Sequence, residues 1–291
     1  MAHTLELILD ARATLGEGPS WHVGEGVLYW VDIEGRAIHV YHPGTGRDRT
    51  IPVGQMVGAV VPRAQGGLVV VLQDGFYALN PVTGALSLLA AVEADDPRTR
   101  FNDGKCDARG RFWAGTMAIA DSPEPLGSLY CLEPDLSVRK VLSGIFCSNG
   151  IGWSPDNRVM YYIDSPTRKV MAYDYHLDTG TIANPRVVAE IDQGVPDGMT
   201  VDEEGMIWVA QWDGGVVSRW NPYTGERLLT VEVPAPRTTS CVFGGPNLDE
   251  LYITSARTGL DAATLAAYTH SGGLFRASVG VRGLPTCAFA G

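Results

Sequence analysis

The chain has 291 residues, of which 45% are hydrophobic, and its 33 acidic and 22 basic side chains give a net charge of −11. This acidic balance argues against a nucleic-acid partner, which needs a basic face. The sequence has no run of about 18 apolar residues, so we expect no membrane-spanning helix.

The cysteines and the N-terminal residues indicate the cellular compartment. The chain has five cysteines, an odd number, and none of them forms a C-x-x-C pair. This pattern is typical of reduced thiols rather than of a disulfide framework. The stretch "MAHTLELILDARA" lacks a basic region and includes Glu6 and Asp10, so it does not resemble a signal peptide. We therefore expect a cytoplasmic protein.

Six repeats of similar length follow one another along the chain. The segments "GEGPSWHVGEGVLYWVDIEG", "SNGIGWSPDNRVMYYIDSPT" and "PDGMTVDEEGMIWVAQWDGG" share one plan: a small or polar corner, an apolar strand, a turn and an aromatic-rich strand. Three weaker copies complete the series. The successive corners are 41, 44, 47, 48 and 43 residues apart. In chain order they are Glu17, Gly58, Asn102, Asn149, Asp197 and Ser240.

The length of the repeat predicts the fold. A period of roughly 40 to 50 residues with four strands per unit is typical of a β-propeller blade. The sequence therefore predicts an all-β fold, a six-bladed β-propeller with four-stranded antiparallel blades, in which residues 1–291 form a single domain. A solenoid would need atypical polar repeats at its two ends, and we find none.

Two segments lie outside the regular plan. The segment 4–13, "TLELILDARA", has the pattern of a strand, whereas the sixth repeat is short of its outer strand. We predict that this N-terminal segment supplies the missing strand and closes the ring, which removes an open sheet edge. The segment 260–268, "LDAATLAAY", is compatible with one or two helical turns, and we expect a loop there, with a lid role or none.

Four of the six corners carry a carboxylate or an amide, and a propeller would bring them together. The innermost strand of each blade lines the central channel, so equivalent corners face one another around it. Glu17, Asn102, Asn149 and Asp197 would gather two carboxylates and two amides near the axis. Oxygen ligands of these kinds suit Ca²⁺, Mg²⁺ or Mn²⁺. The alternative is that each polar corner only caps its own turn.

Charged residues flank Asn102 in the segment "TRFNDGK". Arg100 would bind the oxygen atoms of a polar ligand if it faces the channel. Otherwise it forms a surface ion pair with an acidic residue of 93–96, and a pair of this kind is the expectation for Lys105. Asp103 should point away from the channel, because neighbouring side chains of an extended strand point in opposite directions.

An aspartate recurs at one place in three of the repeats. Asp107 in "KCDARG", Asp156 in "WSPDNR" and Asp202 in "TVDEEG" each precede a turn. A residue that several repeats share at such a place is typical of a turn rather than of a catalytic group.

Five segments resemble the signature segments of a known family. They are "LGEGPSWH", "RFNDGKCDARGRFWAGTM", "SNGIGWSPD", "PDGMTVDEEGMIWVA" and "CVFGGPNLDELYITSA". In this order they resemble the senescence marker protein, gluconolactonase and luciferin-regenerating enzyme family, over nearly the whole chain. The resemblance implies a six-bladed propeller with one divalent metal ion in its channel. It also implies hydrolysis of sugar lactones to aldonic acids.

The same resemblance implies roles for particular residues. The metal ligands of the family match Glu17 of "GEGP", Asn149 of "SNG" and Asp197 of "PDG". Arg100 and Asn102 match positions that bind substrate. Members of the family use different divalent ions, so the identity of the metal (Ca, Zn, Mg, Mn or Fe) is left open.

The chain departs from the family at one position. Animal members carry a glutamate that helps to hold the substrate three residues after "GTM", where this chain has Ala120 followed by Asp121. The polar contacts with the sugar should therefore differ, so a preference for gluconolactone does not transfer. Bacterial sugar lactonases of the family vary in this loop and look like the nearer relatives.

We therefore expect a metal-dependent sugar lactonase whose partner is a small sugar lactone. In the expected reaction, water attacks a lactone carbonyl that the metal polarises, and Asp197 acts as the catalytic base. We expect a monomer, because a propeller of this size is stable alone, although an oligomer stays open. Two alternatives are an arylesterase or phosphotriesterase on the same scaffold and a non-enzymatic metal-binding propeller.

Overall fold

A computed structural model describes residues 4–120 and 122–291 of the chain, and these residues form six antiparallel sheets of four strands each. The strands of the first half are β1 Thr4–Leu9, β2 Gly16–His22, β3 Val27–Asp32, β4 Ala37–His42, β5 Arg47–Pro52, β6 Val57–Pro62, β7 Leu68–Leu72, β8 Gly75–Leu79, β9 Leu86–Ala91, β10 Thr99–Cys106, β11 Phe112–Ala118, β12 Gly127–Leu132 and β13 Val138–Ile145.

The second half of the chain continues the same pattern. Its strands are β14 Ser148–Trp153, β15 Val159–Asp164, β16 Lys169–His176, β17 Thr181–Glu190, β18 Val195–Val201, β19 Ile207–Trp212, β20 Val216–Trp220, β21 Arg227–Glu232, β22 Thr238–Gly244, β23 Glu250–Ser255 and β24 Leu274–Ser278. Strands β2–β5 form blade 1, β6–β9 blade 2, β10–β13 blade 3, β14–β17 blade 4 and β18–β21 blade 5. Blade 6 contains β22, β23, β24 and β1 in that order.

The six blades form a closed ring. Each innermost strand contacts the innermost strand of the next blade, from β2 to β6 and so on to β22, which contacts β2 again. The molecule is therefore a six-bladed β-propeller, and the fold predicted from the repeat is confirmed.

The N-terminal strand closes the ring, as the sequence predicts. Strand β1 pairs antiparallel with β24, with Thr4 opposite Ser278 and Leu7 opposite Phe275. Thr4 and Glu6 are exposed on one face, whereas Leu5 and Leu7 pack against the apolar cluster between blades 5 and 6. This alternation explains why the first strand of the sequence becomes the last strand of the ring.

Apolar clusters between neighbouring blades hold the ring together. Every pair of neighbouring blades shares one such cluster. Between blades 3 and 4, Trp113 contacts Trp153 and Tyr175 edge to face, with ring centroids 6.1 and 6.0 Å apart. Such aromatic pairs contribute about 0.5–1.5 kcal/mol each beyond the area they bury.

The recurrent aspartates stabilise turns, as the sequence predicts. The Asp202 carboxylate accepts hydrogen bonds from the backbone N–H groups of Glu204 and Met206, at 3.0 and 2.9 Å. Asp107 and Asp156 likewise accept the backbone N–H two residues later. Each carboxylate thus supplies the partner that the turn leaves unpaired.

The described residues include two short helices. Helix α1 (Ala262–Ala267) begins after Asp261, whose carboxylate accepts the N–H of Thr264 at 2.7 Å. The expected loop at 260–268 thus contains a short helix, and its lid role stays a prediction. A 3-10 helix spans Ser165–Thr167. Within the described ranges, neither helix has the length and hydropathy to cross a bilayer.

We expect the apolar face of β1 to provide most of the stability that this strand contributes to the fold. We expect the Leu5→Ser, Leu7→Ser double variant to lose about 2–4 kcal/mol of unfolding free energy, because two partly buried leucine side chains leave their cluster. Urea denaturation measures the loss. The matched control is Thr4→Ser, Glu6→Ser on the opposite face of the strand, where we expect less than about 1 kcal/mol. Equal losses in both variants would contradict this account of ring closure.

Candidate metal centre

A β-bulge near the start of each innermost strand directs the corner side chains. The register of β10 against β11 shifts between Phe101 and Gly104. All five other innermost strands carry a register shift at the equivalent place. A bulge bends its strand and interrupts the strict alternation of side chains, and each corner lies within or directly beside the bulge of its blade.

The four polar corners come together in the interior of the ring. Glu17, Asn102, Asn149 and Asp197 are each only 4–5% exposed. The corner of blade 2, Gly58, allows blades 2 and 3 to approach each other closely, because a Cβ atom at Gly58 would clash with the backbone of Asn102. The four residues that the sequence singled out therefore share one buried site.

The two carboxylates interact directly. The two groups lie close enough to perturb each other, since burial and the negative charge of Glu17 together raise the pKa of Asp197. Burial, followed by the charge of Asp103, raises the pKa of Glu17 to about 8. Burial, followed by the charge of Glu17, raises the pKa of Asp197 well above its usual value. Both groups are therefore destabilised in their charged forms.

The two amides continue the site as a chain of hydrogen bonds. Arg100 Nη1 donates to Asn102 Oδ1 at 2.7 Å, and Asn102 Nδ2 donates to Asn149 Oδ1 at 3.2 Å. Asn149 Nδ2 donates to Ser165 Oγ at 2.9 Å. The side chains of blades 3 and 4 are thereby held in one network.

Arg100 is a buried cation without an ionic partner. It is 8% exposed, and its Nη1 also donates to the Phe101 carbonyl oxygen at 3.0 Å. Burial lowers its pKa. Among residues 4–120 and 122–291, no carboxylate oxygen lies within 4.0 Å of it. Arg100 therefore faces the site, and the alternative of a surface ion pair is wrong.

Two expectations about the neighbours of Asn102 are also wrong. Lys105 is not in a surface ion pair, because its Nζ donates to the Met199 carbonyl oxygen at 2.7 Å across the channel. Asp103 does not point away, since its side chain lines the channel cavity. The bulge places Asn102 and Asp103 together opposite one residue of β11, and the strict alternation of a regular strand fails there.

A cavity of about 310 Å³ lies further along the channel, and its lining does not include the carboxylate and amide corners Glu17, Asn102, Asn149 or Asp197. Its wall combines segments of the six innermost strands just beyond the corners with the C-terminal segment 284–287. Asp103 and Lys105 are its charged lining residues. Burial raises the pKa of Asp103 and lowers that of Lys105, and the opposite charge of each partner opposes the shift.

The chemistry of the donors fits a hard divalent cation. In the part of the chain that the structure describes, no group of three His, Cys, Asp or Glu side chains is arranged to hold a metal. An ion at the acid pair would therefore need the amide oxygen of Asn149 besides Glu17 and Asp197. Carboxylate and amide oxygens are ligands that Ca²⁺ and Mg²⁺ accept. A cation would also offset the repulsion between the two carboxylates.

Besides Lys105, three residues near the site were missed or misplaced by the sequence. Asp103 was misplaced because the bulge has no clear sequence signal. Ser165 and Cys147 contact Asn149 Nδ2, with Cys147 Sγ at 3.6 Å. The only sequence signal for them was that Cys147 directly precedes "SNG" and that Ser165 directly follows β15.

The position where the chain departs from the animal members of the family is Ala120, which is exposed, and Asp121 lies outside the described residues.

Fold and site together define a six-bladed propeller with an acidic, oxygen-rich centre in its channel. The sequence matches the family model described as the SMP-30/Gluconolactonase/LRE-like region over residues 15–257. The chain therefore belongs to the SMP-30/gluconolactonase/LRE-like family.

Relatives of known name agree with this assignment. Regucalcin of Xenopus laevis is 41% identical over 294 residues, which cover 99% of this chain and 98% of that protein. The solved structure of luciferin-regenerating enzyme is 36% identical with a TM-score of 0.94 and covers 99% of this chain and 100% of its own. A calcium-binding protein, regucalcin, from Agrobacterium tumefaciens is 30% identical with a TM-score of 0.93, covering 97% and 96%.

The raised pKa of Glu17 should make the metal-free protein less stable as the pH rises. Glutamate in the unfolded chain loses its proton near its usual pKa of 4.5, whereas Glu17 in the folded chain retains it up to about pH 8. Between these values the folded state binds more protons, so its stability falls with pH, by an amount on the order of a few kcal/mol.

Chemical denaturation of EDTA-treated protein between pH 5 and 8 measures this slope. Glu17→Gln should make the slope shallower, because the variant has no proton to lose at position 17 and removes the charge that, after burial, contributes most to the raised pKa of Asp197. A wild-type slope that persists unchanged in Glu17→Gln would contradict the assignment.

Proposed function

We propose that this protein is a divalent-metal-dependent lactonase that hydrolyses a sugar lactone to the corresponding aldonic acid. The observation that carries the proposal is the convergence of Glu17, Asn149, Asp197, Asn102 and Arg100 in one buried site of a member of a family that includes gluconolactonase. This donor set combines a place for a cation with groups that bind hydroxyls.

In the proposed site, Glu17, Asn149 and Asp197 would hold the ion. When bound, the ion supplies a Lewis acid that polarises a carbonyl and lowers the pKa of a water molecule. Lactone hydrolysis needs both effects, since water is a weak nucleophile and negative charge develops on the carbonyl oxygen.

The side chains have separate tasks in the proposed reaction. Asp197 has two carboxylate oxygens, so one can hold the ion while the other accepts the proton of the attacking water. Among the described residues, the Arg100 guanidinium group donates only through Nη1, and its other N–H groups would bind sugar hydroxyls together with Asn102. Burial strengthens such contacts, because water competes with them less.

A panel of aldonolactones tests the proposal directly. The protein is stripped with EDTA and then restored with Ca²⁺, Mg²⁺, Mn²⁺, Zn²⁺ or Fe²⁺ in turn, while the released acid is followed by the drop in pH. We expect no turnover without metal and turnover with at least one ion. Aryl esters and organophosphates in the same assay test the arylesterase and phosphotriesterase alternative.

A second candidate function is calcium binding without catalysis. It is favoured by the relatives named regucalcin, one of which is described as a calcium-binding protein. Calcium binding measured by calorimetry, combined with no turnover on any lactone of the panel, would favour this candidate over the lactonase.

Variants of Asp197 separate its two proposed roles. Asp197→Ala should abolish turnover and weaken metal binding. Asp197→Asn keeps one oxygen ligand but removes the base, so we expect kcat to fall by about 10²-fold or more at saturating metal. If kcat survives in Asp197→Asn with metal bound, Asp197 is a ligand only.

Asn102→Ala provides the comparison at the other side of the site. If Asn102 binds the substrate and the transition state equally, the variant raises KM and leaves kcat unchanged at saturating metal.

A further inference from the structure

The orientation of the Asn149 amide decides what the site can bind. An asparagine side chain presents an oxygen at one end and an NH₂ group at the other, and only the oxygen can hold a cation. The two ends are similar in shape, so packing alone does not choose between them. The choice rests on the hydrogen bonds that each end makes.

Arg100 sets the direction of the network at one end. Its guanidinium group can only donate hydrogen bonds, and its Nη1 lies 2.7 Å from Asn102 Oδ1. Asn102 must therefore turn its oxygen towards Arg100 and its NH₂ group towards blade 4. The second partner agrees, because the Ser148 carbonyl oxygen can only accept, and it lies 2.8 Å from Asn102 Nδ2.

Asn102 in turn orients Asn149. Its Nδ2 lies 3.2 Å from the Oδ1 atom of Asn149. If the Asn149 amide were reversed, two NH₂ groups would face each other and one donor would lose its partner. Such an unpaired buried donor costs about 1–3 kcal/mol.

Ser165 receives the other end of the Asn149 amide. The Asn149 Nδ2 atom donates to Ser165 Oγ at 2.9 Å, and Cys147 Sγ lies 3.6 Å from the same nitrogen. Ser165 is itself fixed, since it is 7% exposed and its backbone N–H donates to the Cys147 carbonyl oxygen at 3.1 Å. Both hydrogens of the amide thus have an acceptor on one side, and the oxygen stays on the other.

We propose that Ser165 is a positioning residue for the metal site, which holds the Asn149 amide with its oxygen available to a divalent cation. This inference rests on the proposed metal-binding role of Asn149. It assigns Asn102 a part in orienting that ligand as well as in binding substrate. Groups that orient a metal ligand typically contribute 10- to 100-fold to metal affinity.

A matched pair of variants isolates the hydroxyl group of Ser165. Ser165→Thr keeps the hydroxyl, whereas Ser165→Val has nearly the same shape without it. Ca²⁺ and Mn²⁺ are titrated separately by calorimetry into EDTA-stripped protein. We expect Ser165→Thr to bind within about threefold of wild type and Ser165→Val to bind at least about tenfold more weakly.

Ser218→Ala is the control for loss of a buried serine. Ser218 is 0% exposed and accepts a hydrogen bond from Gln211 Nε2 at 3.2 Å in blade 5, so it resembles Ser165 without contacting Asn149. We expect its metal affinity to stay within about twofold of wild type, even if its melting temperature falls. If the role of Ser165 were purely structural, Ser165→Val and Ser218→Ala would both be less stable than wild type, and neither would bind metal more weakly.

The outcomes separate this inference from the proposed function. Equal metal affinity of Ser165→Thr and Ser165→Val would overturn the positioning role while leaving the metal site in place. A wild-type protein that binds no divalent ion would overturn the metal site and the inference together. If Ser165→Val does not fold, Ser165→Ala decides, since wild-type affinity in that smaller variant rejects the role of the hydroxyl.

Discussion

The close approach of the Glu17 and Asp197 carboxyl groups inside a buried channel is the interaction on which the site depends. Two adjacent, desolvated carboxylates cannot both stay charged unless a cation lies between them. Without a cation, burial favours a proton on one of them. Among the described residues no basic nitrogen comes within 4.0 Å of either group. The pair therefore holds a proton in the metal-free protein, and a cation could replace it.

The scaffold maintains this unfavourable arrangement because its stability comes from elsewhere. Apolar clusters between neighbouring blades and the pairing of β1 with β24 close the ring. The innermost strands are fixed by these contacts, so the corner side chains cannot relax outwards into water. A strained or electrostatically unfavourable site persists when the surrounding structure determines its geometry.

The direction of hydrogen bonds gives the site its asymmetry. Arg100 can only donate, so Asn102 turns its oxygen towards Arg100 and its NH₂ group towards Asn149. Asn149 in turn donates to Ser165. One side of the channel thus presents carboxylates, and the other presents an oriented amide and the Arg100 guanidinium group. In the proposed lactonase, the first side serves the metal and the water, while the second binds the sugar.

Much of the architecture could be predicted from the sequence, because a repeat reveals itself locally. Six blades, their closure and the four carboxylate and amide corners could be predicted. The signals were the spacing of the corners, the strand pattern of 4–13 and the turn aspartates shared by several repeats. The helix Ala262–Ala267 was only partly predicted, since its short apolar pattern is also compatible with a loop.

The directions of individual side chains were decided by the tertiary structure. The sequence by itself determined the period of the chain, the position of each corner and the family resemblance, all of which are properties of neighbouring residues. It did not determine that Asp103 and Lys105 face the channel, because a bulge reverses the expected alternation. Nor did it determine that Ser165 meets Asn149, because that contact exists only after β14 and the turn beyond β15 have folded together.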